Sequence, residues 1–185
     1  GTDRQDNELS GLFRRGLETR WRVRSTQKVD GECADLSDLV TVIGDEQARG
    51  GRRGSRISGA AEPGICIDMD GFLISRVVQN LLDNAFKFGV DGGWIHVALR
   101  RTAAGAELTV QDNGIGISQE NLDKIWQRFY QADPSRQENA GLGLGLSMVQ
   151  QIVTLHGGAV AVTSAPGHGT TFTVTLPEHH GKEES

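Results

Sequence analysis

Three polar side chains interrupt the apolar segment VVQNLLDNAFKF: Asn80, Asn84 and Lys87. At helical spacing they fall at i, i+4 and i+7 and form one narrow stripe, while Val77, Val78, Leu81, Leu82, Ala85 and Phe88 cover most of the remaining circumference. Asparagine is a poor helix former, so two of them one turn apart in so apolar a helix need a reason. One reason is structural: a pair of satisfied core amides, or an exposed face. The other is chemical. A neutral amide oxygen is a hard ligand suited to Mg²⁺, and a lysine one turn on would face polyphosphate. Neutral ligands leave the metal's charge available to the phosphates. A carboxylate at Asn80 would offer a general base to activate water, and its absence favours transfer to another acceptor over hydrolysis.

Two glycine-rich segments follow. DNGIGI comes directly after the strand-like AELTVQ, which places Asp112 where a strand runs into a loop. A carboxylate there can accept a hydrogen bond from an exocyclic amine such as N6 of adenine. Gly114 and Gly116 would let the backbone pass close to a flat base without Cβ interference. Asp-Asn-Gly is equally the composition of a plain turn. In GLGLGL, Gly141, Gly143 and Gly145 alternate directly before a helix expected from about Leu144 to Leu155. Exposed backbone N–H groups and the positive end of that helix make a phosphate site. The segment lacks the Gly-Lys-Ser/Thr of a P-loop and the strand and spacing of a dinucleotide fingerprint. Between the two glycine segments, IWQRFYQADPSRQENA has the composition of a mobile lid anchored by Phe129 and Tyr130, or of a surface loop with an aromatic anchor.

The elements that must position these groups are legible from periodicity. A helix is expected from about Ala34 to Gln47, with Leu36, Leu39, Val40 and Ile43 on its buried side. Strand-like pieces follow around Arg56–Ala60 and Gly64–Ile67, then a strong helix from Gly71 to Phe88. WIHVALR and AELTVQD form a hairpin turned by Arg101–Gly105, and AVAVTSA and TTFTVTLP form another turned by PGHG. The order of elements predicts an α+β fold: a two-layer α/β sandwich in which a mixed, mostly antiparallel sheet carries about three helices on one face.

The chain of 185 residues is long enough to bury a core, and 37% of it is hydrophobic. A net charge of -5 argues against a general nucleic-acid surface. Cys33 and Cys66 have no ligand spacing, and reduced, half-buried thiols in a cytosolic protein are the expectation. No signal peptide and no run of about 18 apolar residues is present. In the first thirty residues Leu9, Phe13, Leu17 and Trp21 recur every four positions among Arg14, Arg15, Arg20, Arg22 and Arg24. That pattern reads as the stump of a helix whose packing partner lies elsewhere, or as a basic helix that touches a membrane or partner. RGGRRGS, residues 49–55, reads as a solvated loop. Residues 1–31 are therefore a linker or remnant, 32–178 the folded domain, and 179–185 a tail.

Together these segments resemble the histidine-kinase ATPase domain of the GHKL superfamily, the Bergerat fold. NLLDNAFKF resembles its N box, DNGIGI its first glycine box, RFYQAD its F box and GLGLGL its second glycine box, in the same order and spacing. The resemblance covers roughly Asp35 to Pro177. It implies ATP and Mg²⁺ as cofactors, with Asn84 coordinating Mg²⁺ and Asn80 lining the phosphate end of the same site. Lys87 would contact the phosphates and Asp112 would read the adenine amine, with Gly114 and Gly116 shaping the base pocket. Phe129 would anchor the lid, and Gly141, Leu142, Gly143, Leu144, Gly145 and Leu146 would cradle the phosphates. Ala140 and Leu142 depart from the family pattern, standing where many members have glycine and threonine.

The family kinases phosphorylate a histidine followed by an acidic residue on a dimerisation helix. None of the five histidines here, His96, His156, His168, His179 and His180, has those neighbours. The resemblance therefore implies a cytoplasmic phosphotransferase whose partners are a histidine-bearing dimerisation domain and a response regulator, with no nucleic acid and no membrane contact by this stretch. The alternatives are a nucleotide-sensing pseudokinase, a GHKL ATPase, which carries glutamate where Asn80 stands, and an anti-sigma-type serine kinase.

Overall fold

In the computed structural model the described residues are Ala34, Asp35, Val40, 55–130 and 145–178. Within them, alternation of inward and outward side chains builds one five-stranded sheet. The sequence places β1 at Ala34–Asp35, β2 at Arg56–Ala61, β3 at Cys66–Ile67, β4 at Trp94–Thr102, β5 at Gly105–Asp112, β6 at Ala159–Ser164 and β7 at Thr170–Pro177. The main sheet runs β2-β4-β5-β7-β6, and β1 and β3 form a separate antiparallel pair. Only β2 and β4 pair in parallel; the other three ladders are antiparallel. Parallel neighbours need a crossover, and helix α1, Gly71–Lys87, supplies it between them.

One face of the sheet is apolar at every second position. Ile95, Val97 and Leu99 of β4, Ala106, Leu108 and Val110 of β5, and Phe172, Val174 and Leu176 of β7 are all buried. Against this face pack α1 and α3, Gly145–Leu155, whose buried side chains include Leu81, Leu82, Val149 and Val153. A short helix α2, Gln119–Leu122, follows β5. This is the α+β two-layer sandwich expected from the sequence. Val40 is helical and belongs to the core, as predicted, but the expected start of its helix is wrong: Ala34 and Asp35 are the strand paired with Ile67 and Cys66. Helical periodicity alone does not register such a two-residue ladder. Leu36, Leu39, Ile43 and the N-terminal stripe lie outside the described residues, as do residues 49–54, Cys33 and the tail. The first hairpin is tighter than expected, with only Ala103 and Ala104 between the paired Thr102 and Gly105.

The two long helices are antiparallel. At one end Asn80 of α1 lies beside Gly145 and Met148 at the start of α3. At the other, the Asp70 backbone N–H donates to His156 Nε2 at 3.0 Å, just beyond the end of α3. Asp70 also caps α1, its carboxylate accepting from Leu73 N at 3.0 Å. His156 Nδ1 lies 2.7 Å from the carbonyl of Ile152, so Nδ1 carries the proton and Nε2 accepts. This buried imidazole ties the two helices at the end away from the glycine loops. Among the described residues no helix is long and apolar enough to cross a membrane.

Candidate functional site

Along the C-terminal half of α1 lie the first turn of α3, against Asn80, and the loop after β5, against Phe88, which in turn meets the turn leading into β7. Lys87 ends α1, and Phe88 closes it with an N–H donated to the Asn84 carbonyl at 3.1 Å. The loop after β5 is then fastened directly to that cap. Ile115 N–H donates to Phe88 O at 3.0 Å, and a Cβ at Gly114 would stand 2.2 Å from the same oxygen. On its far side the loop rests on the β6–β7 turn. A Cβ at Gly116, where φ is +74°, would meet Ala165 O at 2.0 Å. Both glycines are thus demanded by backbone packed against backbone, a reason the sequence reading did not contain.

Asp112 is the buried carboxylate of this loop, 5% exposed. Its Oδ1 accepts from Gly114 N at 2.8 Å, and the Thr170 backbone N–H is a second donor. Burial pushes its carboxyl above the usual aspartate range, and the two backbone donors pull part of that back. The carboxylate is held by two buried backbone amides, and neither of these partners carries a formal charge.

Gly169 makes this geometry possible. Its φ is +74°, and a Cβ there would lie 1.9 Å from Asp112 O and 2.8 Å from Asn113 Cα. Gly169→Ala is therefore expected to cost at least about 3 kcal/mol, since it adds left-handed strain to a backbone collision. Urea denaturation measures it, and a midpoint equal to that of the parent chain would show that the approach is not this close.

Asn80 and Asn84 are half-buried, at the boundary between the core and the site. The Asn80 amide NH₂ points to Met148 Sδ at 3.8 Å, which leaves Oδ1 as the atom offered to a cation. A Cβ at Gly145 would sit 3.9 Å from that Oδ1, so Asn80 stands against the N-terminus of α3. Neutral amide oxygens fit Mg²⁺ that keeps most of its shell in water and phosphate oxygens, while the positive end of the adjacent helix favours the phosphates themselves. Among the described residues no cluster of three His, Cys, Asp or Glu side chains is placed to bind a metal. Lys87 is half-buried, its Nζ 5.2 Å from the centroid of the Phe88 ring, and burial lowers its ammonium below the usual lysine range.

Of the two aromatics expected to anchor the lid, Phe129 is 69% exposed and adopts a φ of 62°. Trp126 lies edge-on to the buried Phe172 with centroids 6.0 Å apart, and Tyr130, the other expected anchor, packs against the core and donates its hydroxyl to Asn121 Oδ1 at 2.6 Å. A left-handed backbone at Phe129 turns the ring outward between these two inward neighbours. Gly141, Leu142, Gly143 and Leu144 lie outside the described residues. Gly145 opens α3, and the Leu146 side chain packs partly against the core, so any phosphate contact there is through its backbone.

Sequence reasoning missed Ser164 and Thr170. Thr170 takes an inward position in a strand whose other inward residues are Phe172, Val174 and Leu176. A hydroxyl where the alternation calls for an apolar side chain was the available signal. Two of the histidines are placed apart from the site: His96 is on β4, hydrogen-bonded to Ser58, and His156 is the buried tie described above.

Comparison with known proteins agrees with this fold. A sequence model for the family described as histidine kinase-, DNA gyrase B- and HSP90-like ATPase matches residues 69–180. The sensor histidine kinase TmoS of Ectopseudomonas mendocina is 40% identical over 148 residues, 78% of this chain and 15% of that protein. The phosphate regulon sensor protein PhoR of Pseudomonas aeruginosa is 36% identical over 136 residues, 73% of this chain and 31% of that protein. The chain thus spans less than a third of the length of these two relatives. Among solved structures, a mycobacterial sensor histidine kinase MprB is 30% identical with a TM-score of 0.69, covering 82% of this chain and 100% of that one. Full-length ShkA in complex with AMPPNP is 26% identical with a TM-score of 0.69, covering 79% of this chain and 30% of that one.

Proposed function

This chain belongs to the histidine kinase-, DNA gyrase B- and HSP90-like ATPase family, and from that premise we propose that it binds Mg·ATP and passes the γ-phosphoryl to a histidine on a separate dimerisation domain, for relay to a response regulator. Its fold and its relatives are those of sensor histidine kinases. The observation that carries the reading is the approach of Asn80 to the N-terminus of α3, on a helix whose C-terminal cap is fastened to the loop that follows the buried Asp112.

In this reading Asp112 accepts from the adenine amine, and the loop Gly114–Gly116 forms the edge of the base pocket. Asn84, with Asn80 beside it, holds Mg²⁺, which when bound screens the charge of the phosphates. Lys87 stands where it adds a positive charge to that end of the site, and the backbone at Gly141, Gly143 and Gly145 receives the phosphate chain. The residues on this chain position and neutralise; they do not themselves become phosphorylated. The imidazole of the acceptor domain forms the new P–N bond as the bond from Pγ to the β–γ bridging oxygen breaks, and ADP leaves with that electron pair. With an amide in place of a carboxylate, position 80 itself offers no base to activate water. The reaction belongs in the cytoplasm, where ATP is found.

The test is to mix this chain with γ-labelled ATP and a separately expressed histidine-bearing dimerisation domain. Acid-labile label on that domain is the expected result. Tight ATP binding with no transfer would leave a nucleotide-sensing module, and a basal ATPase rate as fast as transfer would place the chain with the hydrolysing branch of the family.

A further inference from the structure

Asp112, Thr170 and Ser164 lie in one row across β5, β7 and β6, Asp112 paired with Thr170 and Thr170 with Ser164. The Ser164 hydroxyl has three polar neighbours. Ile117 N–H donates to it at 2.8 Å, the Gly169 carbonyl oxygen lies 2.7 Å away, and Thr170 Oγ1 lies 2.9 Å away. A serine hydroxyl has one proton and two lone pairs. A carbonyl has no proton to give, so the contact with Gly169 uses the Ser164 proton. The two lone pairs then accept the Ile117 N–H and the Thr170 O–H. Every polar position on Ser164 is filled, and the direction of the Thr170 hydroxyl is decided by this count.

The consequence falls on the pocket. Thr170 donates its N–H to the Asp112 carboxylate and its O–H to Ser164, so Oγ1 retains only lone pairs. Thr170 is 6% exposed and Asp112 5%, so bulk water does not reverse this arrangement cheaply. We infer that Ser164 is a positioning residue for nucleobase selection: by fixing the Thr170 hydroxyl away from the pocket it makes the floor beside Asp112 acceptor-only, which admits an exocyclic amine and repels a carbonyl in the same place. The inference rests on the reading that this pocket takes the base of ATP. Adjacent lone pairs with no proton between them exclude an acceptor because neither partner can rotate to satisfy it.

The experiment compares ATP with inosine triphosphate, which carries a carbonyl where ATP carries the amine, by equilibrium titration of the 185-residue chain. Ser164→Ala releases the Thr170 hydroxyl to donate toward the pocket, and the preference for ATP over inosine triphosphate is expected to fall about tenfold. Thr170→Val removes the oxygen that repels the carbonyl and is expected to lower the preference similarly. Adding Ser164→Ala to Thr170→Val should change it no further, because Ser164 acts through that hydroxyl. A folded Ser164→Ala chain that keeps the parent preference overturns the inference, as does an equal further drop in the Thr170→Val background. If Ser164→Ala does not fold, Thr170→Val decides alone: an unchanged preference overturns the inference and a lowered one supports it. A parent chain that binds neither nucleotide overturns the ATP reading and this inference with it, whereas ATP binding with unaltered preference in the variants overturns the inference alone.

Discussion

Asn84→Ala is expected to abolish Mg²⁺-dependent nucleotide binding while leaving the fold intact. Changes to groups that merely support a metal ligand lower affinity roughly 10- to 100-fold, so loss of the ligand itself should cost at least about a hundredfold. Alanine is the better helix former by about 0.5 kcal/mol, and Asn84 is half-buried rather than part of the core, so the melting temperature should hold or rise. That pairing separates a ligand from a structural amide. Titration with a fluorescent ATP analogue, with Mg²⁺ and with a chelator, reads the effect. Equal affinity for the parent and variant chains in Mg²⁺ would remove Asn84 from the site.

Asp112→Asn is expected to weaken ATP binding about 10- to 100-fold, the contribution of one hydrogen bond to a charged acceptor. The same substitution gives a signed prediction for stability. Burial raises the folded-state pKa of Asp112 above its unfolded value. Such a group binds its proton more readily when folded, so its contribution favours folding below the unfolded value and is lost as pH rises through the folded one. Asparagine has no proton to take up there. The stability of the parent relative to Asp112→Asn should therefore improve as pH is lowered from 7 toward 4. Urea midpoints across that range measure it, and a difference moving in favour of the variant would contradict the desolvated environment of this carboxylate. Unchanged ATP affinity in the variant would separate Asp112 from the base pocket.

The periodicity of α1 and the alternation of β4, β5 and β7 were open to sequence reasoning because each is a local pattern repeated over several turns or pleats. So was the placement of Asp112, since a carboxylate at the end of an alternating strand is visible as a break in composition. What escaped was set by contacts between distant segments. Gly114 and Gly116 read as glycines making room for a ligand, yet the space beside them is filled by Phe88 O and Ala165 O, oxygens 26 and 49 residues away along the chain. The outward turn of Phe129 follows from its own left-handed φ, which its sequence neighbours do not advertise. Ala34 and Asp35 look helical beside Leu36, Leu39 and Val40, and only pairing with Cys66 and Ile67 makes them a strand. Ser164 and Thr170 carried a readable sign, hydroxyls on an apolar face, but their significance depends on a proton count among four groups that no linear pattern contains.

The imidazole tying the two helices has one more property that follows from its chemistry. A histidine becomes a phosphoryl acceptor through an in-plane lone pair on an unprotonated ring nitrogen. In His156 one nitrogen holds the proton it gives to Ile152, and the other has its lone pair turned to the backbone of Asp70. The ring is 5% exposed besides. It is a nucleophile rendered silent by its own scaffold. In the phosphotransfer proposed above, the domain thus carries a histidine at the heart of its helix pair without becoming its own substrate there.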